Sequence, residues 1–381
     1  MIVSPQVPLH RLVLSLSDAL DMTHPQIVDH QMRVAYIAAH IARAMGYQGD
    51  ELWDVFQAAA LHDIGLIGIE NRVRALHQGQ LERVSWHPRV GYELLRDNPL
   101  FKRAGDILRH HHVPWRGGKG EQHEGVPVPM ASHILVLADA LERAIDRRIP
   151  IVEQSEFVLS QATLGAGKRF HPQCVDALRS VAKAEAFWLD LDSKHLYGVL
   201  LREVSWPTLN LDQLALGPVA EIFARVVDSV SQWTAVHAAG VAATAVALAA
   251  KLHFAPRGLS AMRAAAYFHD LGKLTVPNVI LDKAGKLTRG EFAIIRGHTY
   301  HTFRLLETIG GLEEINEWAS FHHERLDGTG YPFHHGGEHL TLGSRIMAVA
   351  DTFTGMSEDR PYRAGMGRKQ CLMLLEPMCT C

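Results

Sequence analysis

Histidine and aspartate supply the chemistry-bearing residues of this sequence, and they recur in two sets of the same order. The first set is His30, His62-Asp63, His87, His111-His112 and Asp139; the second is His237, His269-Asp270, His298, His322-His323 and Asp351. Imidazole and carboxylate together suit iron, manganese or zinc better than calcium or magnesium, which take all-oxygen shells. Seven such residues exceed what one tetrahedral ion needs, so each set has enough ligands for two ions bridged by a carboxylate. Asp270 is the candidate bridge. Neighbours on a helix point ~100° apart, so His269 and Asp270 can reach different ions, whereas His322 and His323, at a helix end, can approach the same one. Two ions roughly 3.5–4 Å apart can hold a hydroxide and clamp a phosphodiester for in-line displacement, with no protein nucleophile. Lys273, one turn after the pair, offers a phosphate oxygen a fixed cation. The stretch HHERLDGTGYP supplies a loop with two glycines and a proline that lets backbone or Tyr331 reach a ligand. Arg345, Arg360 and Arg363 are further phosphate-binding candidates.

A lone His-Asp pair is a weak signal, since buried histidines often only hydrogen-bond a carbonyl, and exposed arginines commonly do nothing specific. The repetition is what counts. Successive intervals are 32, 25, 24 and 27 residues in the first set and 32, 29, 24 and 28 in the second. The flanking text agrees: LHDIG against FHDLG, HPRVGYELL against HTYHTFRLL, ILVLADALERAIDRR against IMAVADTFTGMSEDR. His10, His24, His77, His123, His195, His253, His334, His335 and His339 fit no repeated pattern and are assigned to surface or local hydrogen bonds.

Helices must position these residues, because the apolar spacing is helical in both halves. Val34, Ile37, Ala38, Ile41 and Met45 recur at helical intervals, as do Val241, Ala245, Leu248 and Leu252. Further helices are predicted over Leu259–Leu271, Glu313–His323 and Leu342–Met356, with Gly65 and Gly272 as helix stops. The expectation is an all-α chain of two tandem helical bundles, residues 1–200 and 215–381. SWPTLNLDQLALGP supplies the boundary through its helix breakers. The first copy continues through GKRFHPQCVDALRSVAKAEAFW, a predicted closing helix. The second copy ends about 30 residues after Asp351, which suggests truncation or an altered reading frame, with lost packing as the expected cost.

The 381 residues are 47% apolar and 21% charged, with a net charge of −3, so no global field draws in duplex nucleic acid or an anionic membrane. A phosphate-bearing ligand must be captured locally. Cys174, Cys371, Cys379 and Cys381 form no zinc-ribbon or disulfide spacing, which fits a reducing compartment. The N-terminus lacks the basic, apolar and small-residue regions of a signal peptide. The uncharged run Thr234–Ala250 is short, alanine-rich and contains His237, so it reads as a buried helix, not a bilayer span. A cytoplasmic protein is expected.

From His237 onward the second copy resembles the HD-GYP family of HD-domain phosphohydrolases. FHDLGKLTVPNVILDKAGKLT, His298, HHERLDGTGYP and RIMAVADTFTGMSEDRPYR carry the resemblance over about 130 residues. It implies a cyclic dinucleotide phosphodiesterase, with cyclic di-GMP as first substrate and cyclic GMP-AMP as second. A metal-bridged hydroxide would yield linear dinucleotide or mononucleotide. The implied cofactors are two divalent transition-metal ions, iron or manganese, and Asp270 and Lys273 would be catalytic. His237, His269, Asp270 and Asp351 would hold one ion, and Asp270, His298, His322 and His323 the other. Lys273 would contact substrate phosphate, and Tyr331, Arg345 and Arg363 remain the candidate substrate contacts read from the residues themselves. Trp233 stands where some members carry a third-metal glutamate, and Thr354-Gly355 replaces the usual Asp-Ala. The first copy resembles the same family, but Leu66 replaces the lysine and HHVPWRGGKGEQHEGVP replaces the glycine-tyrosine-proline loop. It is expected to hold metal without turnover and to regulate, to dimerise the chain or to sense a ligand. The competing readings are a receptor that binds cyclic dinucleotide without cleaving it and a general HD-type nucleotidase.

Overall fold

The structure, a computed structural model, describes residues 7–21, 29–66, 86–203, 210–211, 213–228, 237–359 and 364–376. Among these the chain is all-α, as expected, and its strands are two antiparallel pairs of two residues each. The described residues form two compact units.

One unit combines the N-terminal segment with everything after residue 208. Its N-terminal part is β1 (Val7–Pro8) followed by α1 (Leu9–Asp21). The sequence division places this segment with residues 1–200; the structure groups it with the C-terminal half. The physical reason is in α1 itself, whose Leu9, Leu12, Val13, Leu14, Leu16 and Leu20 are all buried. Ser15 Oγ donates to the Leu305 carbonyl at 2.9 Å, and an Arg11 Nη to that of Ile309 at 3.3 Å. No repeat marks α1, because the repeated ligand sets begin at His30. In the same unit β1 pairs with β4 (Asn210–Leu211), Val7 opposite Leu211.

The other unit carries α2 (His30–Ala44), α3 (Gly49–Ala60), α4 (His87–Leu95), α5 (Lys102–Leu108) and a short hairpin of β2 (Gln122–His123) and β3 (Val126–Pro127). It continues with α6 (Met130–Arg143), α7 (Ile151–Leu164), α8 (Pro172–Val181), α9 (Glu185–Leu191) and α10 (Leu196–Glu203). The predicted single closing helix is therefore two helices. Ala184 turns to extended backbone between them, and Trp188 donates its indole N–H to the Ala182 carbonyl left at the end of α8.

After β4 the first unit resumes with α11 (Gln213–Asp228), α12 (His237–Lys251), α13 (Pro256–Phe268), α14 (Asn278–Leu281), α15 (Arg289–Glu307), α16 (Glu313–Ser320), α17 (Leu342–Ser357) and α18 (Arg368–Leu375). The alanines explain the tight seam along α12: Ala242, Ala245 and Ala249 are buried where it packs on α13 and α17. A capping box starts α15, with Thr288 Oγ1 accepting from the Glu291 amide at 3.2 Å and the Glu291 carboxylate from the Thr288 amide at 2.7 Å. No helix among the described residues is long and apolar enough to cross a membrane.

Gly65 and Gly272 differ from their reading as helix stops. Neither has positive φ. A Cβ on Gly272 would sit 1.9 Å from the His298 carbonyl oxygen, and one on Gly65 would sit 2.1 Å from that of His87. Each is bare so that the helix carrying the next histidine can cross directly over the His-Asp turn. Gly272→Ala is therefore expected to push α15 outward, lowering Tm by roughly 5–10 °C and reducing bound metal. Thermal denaturation and metal analysis check it; an unchanged Tm would contradict the contact.

Candidate metal centres

In the C-terminal unit the residues of the second set converge from five places along the chain. His237 opens α12, His269 caps α13, Asp270 leads into a 3-10 turn (Leu271–Thr275), His298 lies in α15, His322 and His323 follow α16, and Asp351 lies in α17. Asp270 stands between two groups. One of its oxygens lies 3.1 Å from His269 Nε2 and 3.8 Å from His237 Nε2, while the other lies 3.4 Å from His298 Nε2. Asp351 completes the first group, 3.1 Å from His237 Nε2 and 3.8 Å from His269 Nε2. In the second group His298 Nε2 lies 3.4 Å from His322 Nε2, and the candidate ligand atoms of His298, His322 and His323 all lie within 4.8 Å of one another.

The other ring nitrogens explain this convergence. His269, His298 and His322 each donate Nδ1–H to the carbonyl three residues back, Ala266, Ile295 and Ala319, at 2.7, 2.7 and 2.6 Å. His237 Nδ1 is held by the Glu358 carboxylate at 2.9 Å. With each Nδ1–H spent, the tautomer is fixed and each Nε2 lone pair points inward. His269 Nε2 and one Asp270 oxygen are buried with no hydrogen-bond partner. Buried polar atoms rarely stay orphaned, so the donor set fits divalent metal.

The electrostatics agree. Burial drives the pKa of His298 down to about 3 and those of His322 and His323 below the usual imidazole range, which keeps these candidate ligands neutral. Burial alone would raise Asp270, but the His269 ring and the Lys273 ammonium outweigh it and hold the carboxyl well below its ordinary value. Burial likewise opposes ionisation of Asp351, and the His237 hydrogen bond outweighs it. His237 goes the other way: burial lowers it, but Asp351 and Glu358 bring it to about 9.

The substrate-binding candidates separate. Tyr331 lies over His323, ring centroids 4.9 Å apart, in a cavity of about 560 Å³ that His322, His323 and Arg345 also line. Gly330 shapes this loop, since a Cβ there would sit 2.4 Å from the Glu324 Cα. Arg345 spends its Nε and one Nη on the carbonyls of Leu340 and Gly337, so in this structure it fastens the loop instead of facing a phosphate. Lys273 places its ammonium on the Asp270 carboxylate, where a buried negative charge attracts the nearest cation. Arg360, Arg363 and Trp233 lie outside the described residues.

Sequence reasoning missed several neighbours. Glu358 stands seven residues after Asp351, two helical turns further along, and that spacing could have found it. Arg296 lies 4.8 Å over the Tyr331 ring, two residues before His298. Asp228, at the end of α11, is raised to about 7 by burial and by the nearby Asp270 charge. Nothing in its sequence context marks it. Glu324 is buried and accepts from the Phe333 and His335 amides, which sets the path of the glycine loop.

The N-terminal unit repeats the arrangement. One Asp63 oxygen lies 3.5 Å from His62 Nε2 and 3.7 Å from His30 Nε2, and the other lies 3.3 Å from His87 Nε2. His87 Nε2 is 3.1 Å from His111 Nε2 and 3.2 Å from His112 Nε2. Glu142 holds His30 Nδ1 at 2.6 Å, the role that Glu358 has in the other unit. One difference changes the chemistry. The Arg143 guanidinium grips both oxygens of Asp139, and Gly355 occupies the matching place four residues after Asp351.

Comparison with known proteins gives the same division. HD-domain family models match residues 27–144 and 221–380. The 3'3'-cGAMP-specific phosphodiesterase 1 of Vibrio cholerae is 28% identical over 98% of this chain and 89% of its own length. The cyclic di-GMP phosphodiesterase PA4108 of Pseudomonas aeruginosa is 35% identical over 37% of this chain and 34% of its own. A crystal structure of a cyclic GMP-AMP-specific phosphodiesterase of V. cholerae, V-cGAP3, superposes with a TM-score of 0.66 at 25% identity, covering 98% of this chain and 94% of that one. The chain belongs to the HD-domain family, with two HD domains in tandem and the second of HD-GYP type.

Proposed function

We propose that the C-terminal unit is a metal-dependent phosphodiesterase that opens a cyclic dinucleotide, with 3'3'-cyclic GMP-AMP as the first candidate and cyclic di-GMP as the second. The observation that carries this reading is Asp270, whose two oxygens face two separate imidazole groups. A pair of divalent transition-metal ions, iron or manganese, would supply Lewis-acid polarisation of the phosphodiester and lower the pKa of a bound water to about 7. His237, His269 and Asp351 would hold one ion, His298, His322 and His323 the other, and Asp270 both.

The chain's own groups do the rest. The His298, His322 and His323 rings are neutral and would bind without first losing a proton, whereas His237, held protonated by Asp351 and Glu358, would give one up on binding. Glu358 keeps His237 oriented. Lys273, which here rests on the Asp270 carboxylate, would turn its ammonium to a phosphate oxygen when Asp270 serves as a ligand. Tyr331, beside His323 and under the Arg296 guanidinium, offers the nucleotide a flat edge of the cavity, and Arg296 adds a cation there. The sequence alone put cyclic di-GMP first. The order changes because two Vibrio cholerae relatives that match nearly all of this chain are named as cGAMP-specific.

Full-length protein incubated with Mn²⁺ or Fe²⁺ and each cyclic dinucleotide, followed by chromatography, tests the reading. Linear dinucleotide or mononucleotide is expected. Bound but intact substrate would instead support a receptor, and turnover confined to mononucleotides or alarmones would support a general nucleotidase.

The N-terminal unit is expected to hold at most one ion, because the Arg143 guanidinium already compensates Asp139. A fixed unit charge opposes another at ~4 Å by roughly 4 kcal/mol under an effective dielectric of ~20, and a dication feels twice that. Arg143→Met should therefore raise the metal content towards one additional ion per chain, measured by plasma emission on anaerobically purified protein. Equal content in parent and variant would show that Arg143 does not limit occupancy.

A further inference from the structure

The loop that replaces the glycine-tyrosine-proline segment in the N-terminal unit builds a site of its own. Trp115, Arg116 and Gly117 donate their amides to the carbonyls of Arg169, Lys168 and Gly167 at 3.0, 2.6 and 2.9 Å. Two glycines with positive φ, Gly117 and Gly118, turn the chain there, and Arg116 itself sits at φ 49°. This clasp sets Arg116, Lys119 and Arg169 on the rim of a pocket of about 1040 Å³, whose wall also carries Arg89, Arg96 and Arg109. Six cations thus face two carboxylates, Glu93 and Glu124, in a chain whose net charge is −3. Arg96 is paired with Glu93. Among the described residues Arg89, Arg109, Arg116, Lys119 and Arg169 form no ion pair with any carboxylate.

Concave surfaces that gather cations without neutralising them focus a positive field on whatever enters. The pocket is also aromatic. Trp86 lies at its edge, 42% exposed, and Tyr92 lines it beneath the Arg109 guanidinium, 4.9 Å from the ring centroid. Its volume is at the upper end of small-ligand sites. His112 lines it as well, so the pocket opens onto the N-terminal histidine cluster.

We propose that this pocket is a second ligand site, one that binds a nucleotide through its phosphates and base without cleaving it. The exposed guanidinium and ammonium groups take the phosphates, and Trp86 and Tyr92 take the base. Cleavage is not expected there, because Leu66 replaces the lysine beside the His-Asp pair and Arg143 occupies Asp139.

The test is calorimetric titration of EDTA-treated full-length protein, in which turnover is blocked, with cyclic GMP-AMP, ATP and inorganic pyrophosphate as probes. The parent should bind at least one nucleotide in a class of sites that persists in Asp270→Ala, so a failure of the C-terminal reading leaves this result intact. Arg116→Glu/Lys119→Glu should weaken that class about a hundredfold, as expected for two lost charge-assisted hydrogen bonds. Both side chains are exposed, so the fold should survive, and an unchanged Tm confirms it. Arg89→Glu, on another wall of the pocket, is a second variant, expected to weaken binding about tenfold. Equal affinity in parent and variants, or no nucleotide binding in the parent, would overturn the proposal. Pyrophosphate binding as tightly as both nucleotides would overturn the base-recognition part.

Discussion

Asp270→Ala should abolish turnover of cyclic dinucleotide, by at least ~10³-fold, and cut the metal content of the C-terminal unit to one ion or none. The expectation follows from position. One Asp270 oxygen serves His237 and His269, and the other serves His298, so no other side chain can take over both contacts. Metal clamping of the attacking and leaving oxygens is worth several kcal/mol, and each 1.36 kcal/mol is a factor of ten in rate. Asp270→Asn keeps the shape, removes the charge and should fail almost as completely. Lys273 loses its charged partner in both variants, so some loss of stability accompanies the loss of activity. Metal analysis separates the two effects, because a folded variant without its metal has lost the bridge itself. Activity within tenfold of the parent in a folded Asp270→Ala protein would refute the two-ion arrangement.

Deleting residues 1–21 should unfold the C-terminal unit. Six large apolar side chains of α1 are buried, none more than 3% exposed. At about 1.5–3 kcal/mol each, they contribute roughly 9–18 kcal/mol of gross burial, an upper estimate that still matches the whole stability of an ordinary domain. A fragment beginning at residue 209 has all seven candidate ligands yet should aggregate or melt below ambient temperature. Supplying α1 ahead of it through a flexible linker should restore a cooperative transition. Circular dichroism and size-exclusion chromatography of the three proteins decide it. A fragment as stable as the parent unit would show that α1 is dispensable.

That the two histidine-aspartate sets would be brought together was legible because metal chemistry restricts residue type and because the chain repeats the pattern, so two halves checked one another. Helical class was legible from apolar spacing for the same reason. What escaped was whatever depends on the path of the backbone. Gly272 read as a helix stop, yet its role is to let α15 pass, which only the distance to the His298 carbonyl reveals. Arg345 looked like a free cation until the loop carbonyls of Gly337 and Leu340 came within its reach. Arg143 raised no question in sequence, because an arginine one turn after an aspartate is common on helices; burial against a candidate ligand is what makes it matter. The affiliation of α1 escaped too, since a buried amphipathic helix does not announce which core it joins.

The contact between Ser15 and Leu305 spans 290 residues of sequence, and this has a consequence for synthesis. At about 5–20 residues per second, the leucine face of α1 leaves the ribosome roughly 15–60 seconds before the segment that covers it. The intervening unit can complete itself during that interval, but α1 must wait. A nascent-chain chaperone is therefore expected to hold its N-terminus, and chains released before residue 305 should be the species that aggregate.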